Sequence, residues 1–122
     1  MILISSLYAE LKNEPLTQEL LDSKIPIVDI RTPTEWVQTG IIKNSIPIMF
    51  FNEKGAYDLN KFLKQLSTKV DTTKPFALIC RTGSRTKIVS KYLSKELNYK
   101  VTNIVGGVMY PKMKNPPFVS YK

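Results

Sequence analysis

The stretch Cys80-Arg81-Thr82-Gly83-Ser84-Arg85 organises the reading of this 122-residue chain. It holds the only cysteine, between two arginines. It follows a short apolar run, Pro75-Phe76-Ala77-Leu78-Ile79, and precedes a segment, residues 84–97, with helical spacing. A strand ending in a cysteine, then a tight basic loop, then a helix start is a way to make a reactive thiolate. The backbone N–H groups of residues 81–85 can curl inward as an anion-binding nest, and the helix adds the positive end of its dipole. Arg81 and Arg85 add full charges. All three favour thiolate over thiol. Gly83 suits a position where φ is positive or a Cβ would clash. A lone cysteine after an apolar strand is often an inert core residue. The two arginines, the glycine and the helix start together favour a nucleophile instead.

Outward from the loop, strands and helices alternate. Residues 16–23 have helical spacing through Leu16, Leu20 and Leu21, with Thr17 or Pro15 starting the turn. Ile25-Pro26-Ile27-Val28-Asp29-Ile30 is β-branched and nearly all apolar, which suggests a strand buried on both faces. Thr32, Pro33 and Glu35 stand at the N-cap, N1 and N3 positions of a helix that Gly40 stops. Residues 46–51 read as a short apolar strand or a strand running into a loop, and residues 52–57 as a turn. Asp58 caps a helix carrying Leu59, Phe62, Leu63 and Leu66. Residues 76–79 form a second buried strand, and the helix from Ser84 is expected to bury Ile88, Val89, Tyr92, Leu93 and Leu97. Residues 101–105 form a further strand ending in Gly106-Gly107. The proline-containing tail is expected to hold little more than a short helix, and residues 1–9 a short strand or an irregular lead-in. This alternation predicts a single α/β domain over residues 1–122: a central, mostly parallel sheet with helices on both faces in three layers. In such sheets sites lie beyond the carboxyl ends of the strands. Asp29, Cys80 and Gly106 all stand there, so they are expected near one another.

Composition narrows the chemistry. With one cysteine, an internal disulfide, a CxxC pair and a cysteine-rich zinc site are excluded. With no histidine, so are Ser-His and Cys-His dyads and histidine-ligated metals. No metal and no cofactor is expected, and Cys80 must be activated by electrostatics alone. The net charge of +8 is compatible with anionic partners. The lysines are mostly scattered, no helix is expected to carry a continuous basic stripe, and no nucleic-acid motif appears, so nucleic acid is not an expected partner. The first residues lack a basic n-region and their apolar run is short, so neither a signal peptide nor a membrane span is expected. A lone reduced thiol suits the cytoplasm.

The chain resembles the rhodanese-like family of sulfurtransferases over about residues 15–110. The resemblance rests on Ile27-Val28-Asp29-Ile30-Arg31, Glu35-Trp36, Gly40-Ile41-Ile42, the loop 80–85 and Gly106-Gly107, in this order and spacing. It implies a cysteine that accepts sulfane sulfur from thiosulfate or a similar anionic donor, becomes a persulfide, and passes the sulfur to a thiol, a protein cysteine or cyanide. By resemblance Cys80 is the nucleophile. Arg81, Thr82, Gly83, Ser84 and Arg85 cradle the persulfide, with Arg81 and Arg85 meeting the donor. Asp29 and Arg31 match a mainly architectural motif, and Arg31 is expected to pair with Glu35. Three positions depart from the family pattern. Ile41 stands where a histidine is frequent, Asn44-Ser45 where a small residue is frequent, and Tyr110-Pro111 near the usual place of a tryptophan.

Two other readings compete. Cysteine phosphatases and arsenate reductases use a related loop, but the phosphatase loop is C-x5-R. Here it is C-x4-R, with Thr86 where that arginine would stand, and the smaller ring suits a persulfide. The third reading is a non-catalytic interaction module; such relatives have lost the cysteine, which this chain keeps.

Overall fold

The computed structural model describes residues 11–122. In chain order the elements are β1 (Lys12–Pro15), α1 (Gln18–Asp22), β2 (Ile27–Asp29), α2 (Pro33–Thr39), β3 (Ile41–Ile42), β4 (Ile46–Pro47), α3 (Leu59–Lys69), β5 (Phe76–Ile79), α4 (Ser84–Leu97), β6 (Val101–Val105) and β7 (Phe118–Val119). Five strands make one sheet in the order β1-β6-β5-β2-β4, and every neighbouring pair in it is parallel. The remaining two, β3 and β7, form a small antiparallel pair.

The central strand β5 is buried at all four positions, and its side chains alternate between two cores as a pleated strand requires. Phe76 and Leu78, with Val28 and Val101, pack against Phe62 and Leu66 of α3 and Val89 and Leu93 of α4. Ala77 and Ile79, with Ile27 and Ile104, pack against Leu16, Leu20, Ile42 and Val108. Thus α3 and α4 cover one face, and α1 with the segment after β6 covers the other.

Local sequence sets the helix starts. Thr17 Oγ1 accepts the Leu20 N–H at 3.1 Å, and Asp58 Oδ1 accepts that of Lys61 at 3.1 Å. At α2, Thr32 and Glu35 make a reciprocal capping box with Pro33 in the first turn. Helix α4 is different: Gly83 is its N-cap, with a left-handed φ of 101° and no side-chain cap. The amides at its start are left to the loop.

Several expectations need correction. Ile88 is 64% exposed on the outer face of α4. That helix also carries a basic stripe, with Lys87, Lys91 and Lys95 all exposed at i, i+4 and i+8. The tail holds β7 rather than a helix, because Phe118 and Val119 pair with Ile42 and Ile41. Strand β1 has exposed residues at its first three positions and no apolar run to announce it. Of the two readings of residues 46–51, the structure has the strand running into a loop, with Ile46–Pro47 as the strand. The expectation for residues 1–9 lies outside the described residues. Among the described residues, no helix is long and apolar enough to cross a membrane.

Candidate active site

Parallel strands bring the expected residues to one edge. Asp29 ends β2, Cys80 follows β5 and Gly106 follows β6, and these three strands are adjacent in the sheet. The Ile30 N–H donates to the Ile79 carbonyl at 3.0 Å, continuing the ladder up to Cys80.

Cys80 is wholly buried. Of the loop amides, that of Gly83 donates to Sγ at 3.2 Å, which places the sulfur at the amino end of a 14-residue helix. Thr86 Oγ1 stands 3.6 Å from Sγ and donates to the Gly83 carbonyl at 3.3 Å. From the sequence, Thr86 stands out only as the residue in place of a phosphatase arginine. Its burial one turn into α4 was not visible there, since a threonine in the first turn of a helix is ordinarily exposed.

Two glycines let the loop close. A Cβ on Gly83 would lie 2.9 Å from the Gly106 nitrogen. One on Gly107, whose φ is 57°, would run into the Cys80 and Arg81 carbonyls. Those two carbonyls accept the N–H groups of Val108 and Met109, each at 3.0 Å. The glycine pair therefore clamps the turn after β6 onto the cysteine loop.

The arginines divide the work differently from the expectation. Arg31 pairs with Asp29, not with Glu35: Arg31 Nη2 donates to Asp29 Oδ2 at 2.8 Å and Nε to Oδ1 at 3.0 Å. Arg31 also donates to Thr39 Oγ1 at 2.8 Å and to the Gly40 carbonyl at 3.0 Å. The strand-to-helix turn puts Asp29 only two residues away, and Glu35 is taken up elsewhere. Glu35 receives both terminal nitrogens of Arg85, each at 2.8 Å. This fork, helped by the Thr32 amide and hydroxyl, outweighs partial burial and holds the Glu35 carboxyl down to about 2. Arg85 is held above its ordinary value, chiefly by its hydrogen bonds to Glu35, which outweigh its partial burial. Arg81, Thr82 and Ser84 are exposed around the sulfur, and Arg81 makes no ion pair with any described residue. Of the two loop arginines, it is the one without a carboxylate partner among the described residues. Among the described residues, no group of three or more His, Cys, Asp or Glu side chains could hold a metal ion.

A wholly parallel sheet with a cysteine loop between a central strand and an uncapped helix defines the class of protein. The rhodanese-like domain family model matches residues 9–110, and the chain belongs to that family. Solved structures agree on the fold. Rv0390 from M. tuberculosis has a TM-score of 0.65 at 16% identity, covering 80% of each chain. A rhodanese-like domain protein from Staphylococcus aureus has a TM-score of 0.60 at 21% identity, covering 88% of this chain and 99% of that one. SSP1007 from Staphylococcus saprophyticus has a TM-score of 0.56 at 26% identity, covering 79% and 90%. Among curated proteins none matches.

Proposed function

We propose that this chain is a sulfurtransferase that works through a persulfide on Cys80. The observation that carries the reading is the sulfur's position: Sγ accepts the Gly83 amide at the start of α4. That electropositive position suits a thiolate, and then an anionic persulfide. In the proposed cycle the Cys80 thiolate attacks the outer sulfur of thiosulfate. The S–S bond of the donor breaks, and sulfite leaves with the electron pair. A thiol or cyanide then attacks the outer sulfur of the persulfide, and Cys80 departs as thiolate, so no external oxidant or reductant is needed. Arg81 meets the donor's anionic end. Arg85, bound to Glu35, positions the loop, and Asp29 with Arg31 supports it from below.

Incubation with thiosulfate is expected to add one sulfur atom to the intact mass and to yield thiocyanate on addition of cyanide. Cys80→Ser is expected to abolish both signals. An unmodified chain that gains no sulfur and forms no thiocyanate sinks the reading.

The complete burial of Cys80 favours a second reading, a non-catalytic interaction module, because a donor must displace part of the loop to reach the sulfur. Alkylation separates the two. A Cys80 that reacts faster than free cysteine at neutral pH supports the sulfurtransferase, and a slower one supports the module.

A further inference from the structure

We propose that the rim of the Cys80 loop and the outer face of α4 form one docking surface for an acidic protein, whose own cysteine takes sulfur from Cys80. The inference rests on the sulfurtransferase reading and names the class of its acceptor.

Residues 72–122 contain ten Lys and Arg and one acidic residue, Glu96, whereas residues 1–71 contain eight and nine. The net +8 of the chain therefore belongs to the part that builds β5, the loop, α4 and β6. Lys87, Lys91 and Lys95 stand exposed along α4. The stripe begins one turn beyond the site, where the Lys87 N–H donates to the Gly83 carbonyl at 3.1 Å. It runs on for about 12 Å at the rise of an α-helix. Exposed Arg81 extends the same charge to the loop.

An apolar surface lies beside these charges. Val105 is 38% exposed, Met109 47% and Tyr110 62%. They sit at the loop because the Met109 N–H donates to the Arg81 carbonyl at 3.0 Å and because Gly83 is packed against Val105 and Gly106. Ile88, 64% exposed, lies among the lysines. An apolar rim beside a field of one sign is the make-up of a protein interface, and a small thiol has no use for it. Of the rim residues only Tyr110 has a ring on which a base could stack, while Val105, Met109 and Ile88 have none. The chain has no second cysteine to resolve the persulfide, so the acceptor comes from outside the chain. In the step itself the partner's thiolate attacks the outer sulfur of the Cys80 persulfide. The S–S bond breaks, Cys80 leaves as thiolate, and the outer sulfur ends as a persulfide on the partner.

The test uses the full chain loaded with sulfur and two short cysteine peptides that differ only in carrying glutamates or lysines. Transfer to the acidic peptide is expected to be about tenfold faster at low salt, with the gap closing at high salt. In the combined Lys87→Glu, Lys91→Glu, Lys95→Glu variant the order is expected to reverse, with turnover to cyanide unchanged. Equal rates for the two peptides, or an order indifferent to the charge reversal, would overturn the proposal. Anisotropy of the labelled acidic peptide with Cys80→Ser reads docking without chemistry. If cyanide turnover is absent while the peptide still binds, the sulfurtransferase reading has failed and the docking surface stands. A single-stranded RNA oligomer that binds tighter than the acidic peptide at equal salt would overturn the assignment of an acidic protein.

Discussion

Two arginine–carboxylate pairs flank the carboxyl edge of the sheet, and they do opposite things. Arg31–Asp29 joins neighbours in sequence and is almost completely buried, with side chains 1% and 0% exposed. Arg85–Glu35 joins residues 50 positions apart, with side chains 24% and 22% exposed. The first spends its donors on Asp29, Thr39 and Gly40, tying the end of β2 to the end of α2. The second ties the first turn of α2 to the first turn of α4, beside Cys80. A buried pair is costly to break because one partner is left charged and without water. A partly exposed pair is cheap to break but can still set the position of what it holds. The inner pair supports the fold, and the outer pair the geometry of the loop.

Arg31→Ala should cost the most, about 3–5 kcal/mol, because Asp29 would be left buried without its partner. Urea denaturation measures this, and a loss under 1 kcal/mol would place the inner pair with the outer one. Gly107→Ala comes next, at about 1–3 kcal/mol, from a left-handed backbone and collision with the Cys80 and Arg81 carbonyls. Its alkylation profile at Cys80 should change as well, since the clamp holds the loop.

Glu35→Gln should cost only about 1 kcal/mol, allowing for solvent screening of a partly exposed pair. It should nonetheless alter the rate of Cys80 alkylation more than Arg31→Lys does. The pH dependence gives the same pair a signature. The Glu35 value is lowered in the fold, so its contribution is complete above the ordinary 4.5 and lost as pH falls toward about 2. Stability of the unmodified chain should drop through that window, and Glu35→Gln should flatten the drop. Smallest of all is Ile88→Lys, within about 0.5 kcal/mol, because the side chain is 64% exposed. A larger loss in thermal unfolding would mean that Ile88 is a core residue after all.

Elements with dense local signals were legible in the sequence. The four apolar residues of β5, the capping box at Thr32 and Glu35, and the extent of α4 each carry their own chemistry, and the structure has them where the residues point. Strand β1 was not legible, because Lys12, Asn13 and Glu14 are made a strand by pairing with β6 and not by any property of their own. The β3–β7 pair was hidden for the same reason. At the site, the sequence gathered Asp29, Cys80 and Gly106 but could not choose among carboxylate partners. Spacing favoured Arg31 with Glu35, and the three-dimensional path of α4 gave Glu35 to Arg85 instead. Thr86 was missed because its burial depends on how α4 lies on the sheet.

The parallel sheet also sets an order of assembly. None of its strand pairs is a hairpin, so each waits for a loop to close. Val28 must find Ile46, Phe76 must find Val101, Ile27 must find Ala77, and Lys12 must find Thr102, 90 positions away. Closure entropy rises with loop length, and folding slows as contacts become less local. The edge pair β1–β6 is therefore the last to be reached. As the chain leaves the ribosome, residues 12–15 have no partner strand until residues 102–105 have been made.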